Sequence, residues 1–92
     1  MIRAVMLFRS GGRVPKAAGL AEQLKGLTSV TDAYPVFGRF DLVAFLQCNN
    51  ANELFKLVSE AVKLEGIMSS ETLIEILPNQ ELREYGKGPF SS

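Results

Sequence analysis

The stretch that decides the fold of this chain is Tyr34–Cys48, which reads YPVFGRFDLVAFLQC. This short segment contains charged residues, aromatic residues and a glycine, Gly38, whose backbone is conformationally free. Gly38 tolerates a positive φ angle and Asp41 can close a turn through its own backbone, so residues 38–41 are predicted to form the tip of a β-hairpin. The rest of the chain is interpreted as scaffold around that tip.

The two strands of this hairpin differ in character. Residues Val30–Phe37 are rich in β-branched and aromatic side chains, but Pro35 cannot donate to a central ladder, so this strand is predicted at a sheet edge. Residues 42–48 contain Gln47 as the one polar member, which is typical of a strand covered on both faces. We therefore expect the second of these strands to be central.

Two helices and two more strands are predicted around the hairpin. A short apolar run at Ile2–Arg9 predicts a first strand, and apolar residues at three- and four-residue steps predict a helix over Pro15–Lys25. Gly19 in that helix is interpreted as allowing close packing on the sheet.

Asn50 is expected to cap a second helix with Glu53 as its capping-box partner. The buried stripe of this helix is predicted to be Ala51, Leu54, Phe55, Val58, Ala61 and Val62. Phe8, Phe45, Phe55 and the methionines are expected in the core. Residues 68–77 then form the last strand.

The resulting order is β-α-β-β-α-β, which right-handed crossovers convert into a ferredoxin-like α+β fold. Its antiparallel sheet has the strand order 4-1-3-2, with both helices on one face. Three of the strands are apolar on both sides, so the uncovered face is too apolar for a soluble monomer. The sequence therefore predicts a homodimer with sheets packed face to face, in the manner of a dimeric α/β barrel.

Composition narrows the functional classes. Ten basic and ten acidic residues leave no net charge and no basic stripe, which argues against direct nucleic-acid binding. No membrane span or secretion signal is apparent, and the single cysteine fits a reduced cytoplasmic setting. The absence of histidine and the scattered carboxylates give no pattern for a metal, a cofactor or catalysis. Residues 1–78 are predicted to form one domain, and residues 79–92 a partly disordered extension.

Two segments resemble the ligand-binding (RAM) domain of the Lrp/AsnC family of transcriptional regulators. The segment 30–46 reads VTDAYPVFGRFDLVAFL and is similar to the family's strand, Gly-x-aromatic-Asp step and apolar strand. The segment 65–74 reads EGIMSSETLI and is similar to its helix end and last strand. The resemblance covers about residues 2–77. No helix-turn-helix precedes Ile2, so the chain resembles a stand-alone form, and its first loop and its tail depart from the family pattern.

The resemblance implies a non-catalytic sensor and assembly domain. It implies dimers that form octamer-like rings, a small effector such as an amino acid bound between dimers, and full-length Lrp/AsnC regulators as partners. The binding positions transfer to Gly38, Arg39, Phe40 and Asp41 at the tip, with Ser70 and Thr72 from a neighbouring subunit. Chemically, Asp41 can accept from an ammonium, the two hydroxyls can donate, and Phe40 can form the wall of a pocket.

Two alternatives stay open at this stage. A small dimeric α/β-barrel enzyme of the oxygenase or isomerase type shares the topology, but it would need a deep pocket between sheet and helices in each protomer. A pure assembly partner without a ligand shares every scaffold residue, and only the tip would distinguish it. Each tip residue also has a plain structural use, since an ordinary hairpin needs a glycine and an aspartate.

Overall fold

The computed structural model describes residues 1–11 and 14–75, with backbone only for residues 14 and 15. Six elements follow one another in the predicted order: β1 (Ile2–Arg9), α1 (Val14–Lys25), β2 (Val30–Pro35), β3 (Leu42–Cys48), α2 (Ala51–Val62) and β4 (Ser69–Ile74). The predicted domain boundary at residue 78 and the extension 79–92 lie outside the described residues.

The four strands form one antiparallel sheet in the order β2-β3-β1-β4, which confirms the predicted arrangement 4-1-3-2. In the centre, Met6 lies opposite Ala44 of β3 on one side and opposite Thr72 of β4 on the other. The strand with Pro35 is at the edge, where its missing amide hydrogen leaves no ladder position unfilled. The fold is therefore the predicted ferredoxin-like α+β fold.

The start of α2 forms as the sequence predicts, with one difference. The side-chain oxygen of Asn50 accepts from the backbone amide of Glu53 at 2.9 Å. The Glu53 carboxylate returns to the amide of Asn49, also at 2.9 Å, one residue before the position that a standard capping box uses. The cap thus satisfies an amide before the helix and one inside it.

The hydrophobic core lies between the sheet and the two helices. Phe8 and Met6 from β1, Leu24 from α1, and Leu42 and Cys48 from β3 are its largest fully buried side chains. Ala17, Leu20 and Ala21 complete the inner face of α1. The covered face of the sheet, meaning the side that carries these residues, is buried at its centre within one chain, whereas Ser70 and Ile74 of β4 are exposed on it.

The buried face of α2 differs from the predicted stripe. Leu54 and Ala61 are buried, but Leu57 joins them, whereas the Phe55 side chain is 68% exposed. Residues in an α-helix advance by about 100°, so Leu57 lies on the same side as Leu54, and Phe55 lies well round toward solvent. Ala51 and Val62, also assigned to the stripe, are exposed as well.

Other core assignments are corrected as well. Phe8 and Met6 are buried as expected, but Phe45, Met1 and Met68 are exposed. A Cβ atom built on Gly19 would meet no atom within 4 Å, so this glycine does not serve close packing on the sheet.

Candidate functional site at the hairpin tip

Residues 36–41 connect β2 to β3 and form the predicted hairpin tip. The amide of Val36 donates to the carbonyl of Asp41 at 3.0 Å, which closes the loop. Gly38 has a φ angle of +138°, a conformation that side-chain-bearing residues rarely adopt, although open space surrounds it. The glycine is therefore required by backbone conformation and not by crowding.

Asp41 fastens the tip to the end of β1. Its amide donates to the carbonyl of Phe8 at 3.0 Å. Its carboxylate accepts from the amide of Ser10 at 2.9 and 3.2 Å and from the Ser10 hydroxyl at 2.9 Å. Ser10 is only 4% exposed, so these charge-assisted bonds lie partly out of water. Asp41 thus holds Ser10, the residue that follows β1, against the tip.

A second set of bonds adds the start of β4 to this cluster. The Arg9 Nε atom donates to the carbonyl of Arg39 at 2.8 Å. The carbonyl of Arg9 accepts from the amide of Met68 at 2.7 Å. The tip, the end of β1 and the approach to β4 are therefore joined through Arg9.

These segments enclose an open cavity of about 460 Å³, called here the tip cavity. It is lined by Arg9, Gly11, Gly38, Arg39, Asp41, Met68 and Ser69. Its volume lies within the range of about 300–1,000 Å³ that is usual for small-molecule sites. The described lining residues carry two guanidinium groups, one carboxylate and one hydroxyl, together with two glycines.

The structure brings three of the six predicted site residues to this cavity: Gly38, Arg39 and Asp41. Phe40 is half-buried in the tip and is not part of the lining. Ser70 and Thr72 lie opposite Phe8 and Met6, so they share the covered face of the sheet within the same chain. Ser70 is exposed and Thr72 half-buried there.

Sequence reasoning did not select Arg9, Gly11, Met68 or Ser69. The predicted strand order contained a signal for them. In that order the end of the first strand lies between the start of the third strand and the start of the fourth. Arg9 and residues 68–69 therefore lie next to the tip.

The uncovered side of the sheet, called here the open face, combines apolar and charged residues. Val5, Leu7 and Val43 lie along its centre, and the rings of Tyr34 and Phe45 lie 6.0 Å apart between their centroids. An ion pair between Arg3 and Glu75 lies at one end. A cavity of about 580 Å³ opens beside that pair, with Val5, Phe45 and Leu73 in its lining.

The remaining candidate groups contribute little chemistry. Burial raises the pKa of the Cys48 thiol, against a smaller lowering by a hydrogen bond with Ser29, so the thiol is neutral near pH 7 and a poor nucleophile. Among residues 1–11 and 14–75, no three side chains of metal-binding type come together. No helix in the same ranges has the length and apolar character needed to cross a bilayer.

Comparisons with protein-family profiles and with curated protein sequences give no match. Solved structures do match. TTHA0845 from Thermus thermophilus is 33% identical, with a TM-score of 0.74 over 84% of this chain and 95% of that one. FFRP-DM1 is 26% identical, with a TM-score of 0.72 over 83% of this chain and all of that one. Escherichia coli AsnC is 21% identical, with a TM-score of 0.71 over 83% of this chain and 51% of its own length.

The chain belongs to the Lrp/AsnC family. Its fold is that of the family's RAM domain, which the sequence resemblance had predicted. It spans nearly all of the two small proteins and about half of AsnC.

Proposed function

We propose that this chain is a non-catalytic sensing and assembly domain that binds an amino acid at the hairpin tip and dimerises through the open face of its sheet. The observation that carries the proposal is the tip cavity, whose lining contains Arg9, Arg39 and Asp41. An α-amino acid presents one carboxylate and one ammonium, which need donors and acceptors respectively. Both kinds of group are present in this cavity.

Dimerisation is supported by the open face. Phe45, Tyr34 and Leu73 are each between a third and a half exposed there, beside Val5 and Leu7. A contiguous apolar area of this kind, with charges at its rim, is typical of a surface that binds protein. A two-fold axis would pair it with the same face of a second copy and bury the apolar centre of both.

Assembly beyond the dimer is supported by the tip. The Phe37 side chain is 95% exposed, and Arg39 and Gly38 beside it are exposed too. A neighbouring dimer that covers this corner would remove Phe37 from water and close the tip cavity. Ser70 and Thr72 of that neighbour would then complete the site, in an octamer-like ring. We further propose that the domain acts in the cytoplasm, in mixed assemblies with full-length Lrp/AsnC regulators.

The packed core supports a non-catalytic role. An enzyme of the dimeric α/β-barrel type needs a deep pocket between sheet and helices. In this chain Phe8, Met6 and Leu24 fill that space with almost no exposed area. A reactant would have to displace core side chains to enter it.

A thermal-shift screen of the twenty amino acids tests the binding proposal. Binding at about one hundred times the dissociation constant should stabilise the fold by about 2.7 kcal/mol, which is readily measured. The absence of a shift at millimolar concentrations for all twenty would favour a pure assembly partner without a ligand.

The site is tested by Asp41→Asn, since the amide keeps an acceptor for Ser10 but loses the charge that attracts an ammonium. Asp32→Asn is the matched control, because Asp32 also accepts from a backbone amide, that of Ala33, and lies away from the tip cavity. The ligand-induced rise in melting temperature should shrink for Asp41→Asn and persist for Asp32→Asn. Equal rises in both variants would place the site elsewhere.

A further inference from the structure

We infer that the tip cavity selects effectors that carry two carboxylates, which is the chemistry shared by acidic amino acids and 2-oxo diacids. This inference rests on the proposed binding function and concerns its specificity. Three observations carry it: the charge of the lining, the occupation of Asp41, and the state of the two arginines.

The charged groups of the lining do not balance. Among the described residues of the lining, Arg9 and Arg39 contribute two positive charges and Asp41 one negative charge, which leaves an excess of one positive charge. A neutral amino acid has no net charge and leaves that excess uncompensated. A dicarboxylic amino acid has a net charge of minus one near pH 7 and neutralises it.

The carboxylate of Asp41 is largely occupied by its own chain. An ionised carboxylate has about four lone-pair positions. Ser10 donates to them three times, once through its hydroxyl and twice through a shared amide hydrogen. Limited acceptor capacity is left for an ammonium group, so Asp41 contributes to affinity but less than the two arginines do.

The two arginines, unlike Asp41, keep most of their hydrogen-bonding groups unused within the described part of the chain. Arg9 uses its Nε–H on the carbonyl of Arg39, which holds its guanidinium at the tip and leaves the terminal Nη groups available. Within residues 1–11 and 14–75, the Arg39 side chain forms no hydrogen bond or ion pair. A planar guanidinium matches a carboxylate through two parallel bonds, so two such groups suit two carboxylates.

The direct test compares L-glutamate, 2-oxoglutarate and L-glutamine by calorimetric titration of the full chain. L-Glutamate and L-glutamine have nearly the same shape and differ in the second carboxylate. We expect L-glutamate to bind about ten- to a hundredfold more tightly than L-glutamine, since hydrogen bonds to charged groups have this effect. If 2-oxoglutarate binds as well as L-glutamate, the ammonium group is dispensable. If 2-oxoglutarate binds tenfold more weakly, the effector is the amino acid. Both results agree with the dicarboxylate requirement.

The matched variants are Arg39→Gln and Lys25→Gln. Arg39→Gln removes the guanidinium but keeps the backbone carbonyl that holds Arg9, so the tip geometry is preserved. Lys25→Gln removes the same charge from the last turn of α1, at an exposed site paired with Glu22. L-Glutamate affinity should fall about tenfold or more in Arg39→Gln and stay unchanged in Lys25→Gln.

The outcomes separate this inference from the function beneath it. Equal or tighter binding of L-glutamine would overturn the dicarboxylate requirement and leave amino-acid sensing in place. Equal loss of L-glutamate affinity in both variants would also overturn it, because general charge and not Arg39 would then be responsible. No binding of any of the twenty amino acids or of 2-oxoglutarate would overturn both proposals.

Discussion

The two faces of the sheet differ although the same strands build both. Phe8 in β1 has no exposed surface, whereas Phe45 on the neighbouring strand is 39% exposed, because the two side chains lie on opposite faces. The covered face packs against the two helices and adjoining connections of the same chain. The open face has a similar supply of apolar groups and no cover among the described elements. The difference teaches that apolar residues of one sheet can be buried within the chain on one face and remain available, on the other, to the second copy that we propose.

Phe8→Ala tests the covered face and is expected to have the largest effect on the free energy of unfolding. Truncation of a fully buried phenylalanine costs about 3–5 kcal/mol of unfolding free energy, through lost burial and the cavity left behind. Urea unfolding should show this loss at every protein concentration, since the contact is internal. A loss under about 1 kcal/mol would mean that the covered face is loosely packed.

Phe45→Lys tests the other face. A lysine on a half-exposed position is solvated in the monomer but is unfavourable in a dry interface, so association should weaken strongly while the fold persists. Light scattering should then report the mass of one chain. Phe55→Lys is the matched control, since Phe55 is exposed on the outer side of α2. Equal particle masses for both variants and the unmodified chain would contradict the proposal that the open face is the dimer interface.

Ser10→Ala tests how far the covered face extends toward the tip. The variant removes a hydroxyl that donates to the Asp41 carboxylate at 2.9 Å in a buried position. Hydrogen bonds to charged groups contribute about 1.5–3 kcal/mol, and chemical unfolding should show a loss in this range. Ser59→Ala, on the exposed side of α2, should change stability by about 0.5 kcal/mol or less. If the two changes were similar, the bond from the Ser10 hydroxyl to Asp41 would contribute nothing measurable to the stability of the fold.

Gly19→Ala concerns the solvent side of the helix layer and should have the smallest effect, with the opposite sign. Alanine is favoured over glycine inside a helix by about 0.5–1 kcal/mol, and its methyl group meets no atom here. The melting temperature should therefore rise. Gly38→Ala is the counterpart, because its positive φ angle makes a Cβ costly, and it should lower the melting temperature. A fall in both variants would show that α1 is more crowded than its contacts indicate.

The strand order was predictable because two local features agreed on it. Pro35 required an edge and the apolar run 42–48 required a central position, and the order 4-1-3-2 satisfies both. Asn50 likewise identified the start of α2, since capping depends on residues three positions apart. These features act over short sequence distances, where the residue types determine the geometry.

The orientation of α2 was not predictable with the same accuracy. Apolar residues cover a wide arc of this helix, so a stripe that includes Phe55 fits the period nearly as well as one that includes Leu57. Only the position of the sheet decides between them. The contact of Ser10 with Asp41 was missed for a related reason, because it joins residues 31 positions apart and depends on how the first loop lies over the tip.

The bond from Arg9 to residue 39 uses the backbone oxygen of that residue, not its side chain. Any amino acid at this position supplies the same oxygen. The architecture of the corner is thereby uncoupled from the identity of the group it displays, and residue 39 can be exchanged as a variable recognition element on a constant frame. Redesign of the corner for a different metabolite should begin at this codon.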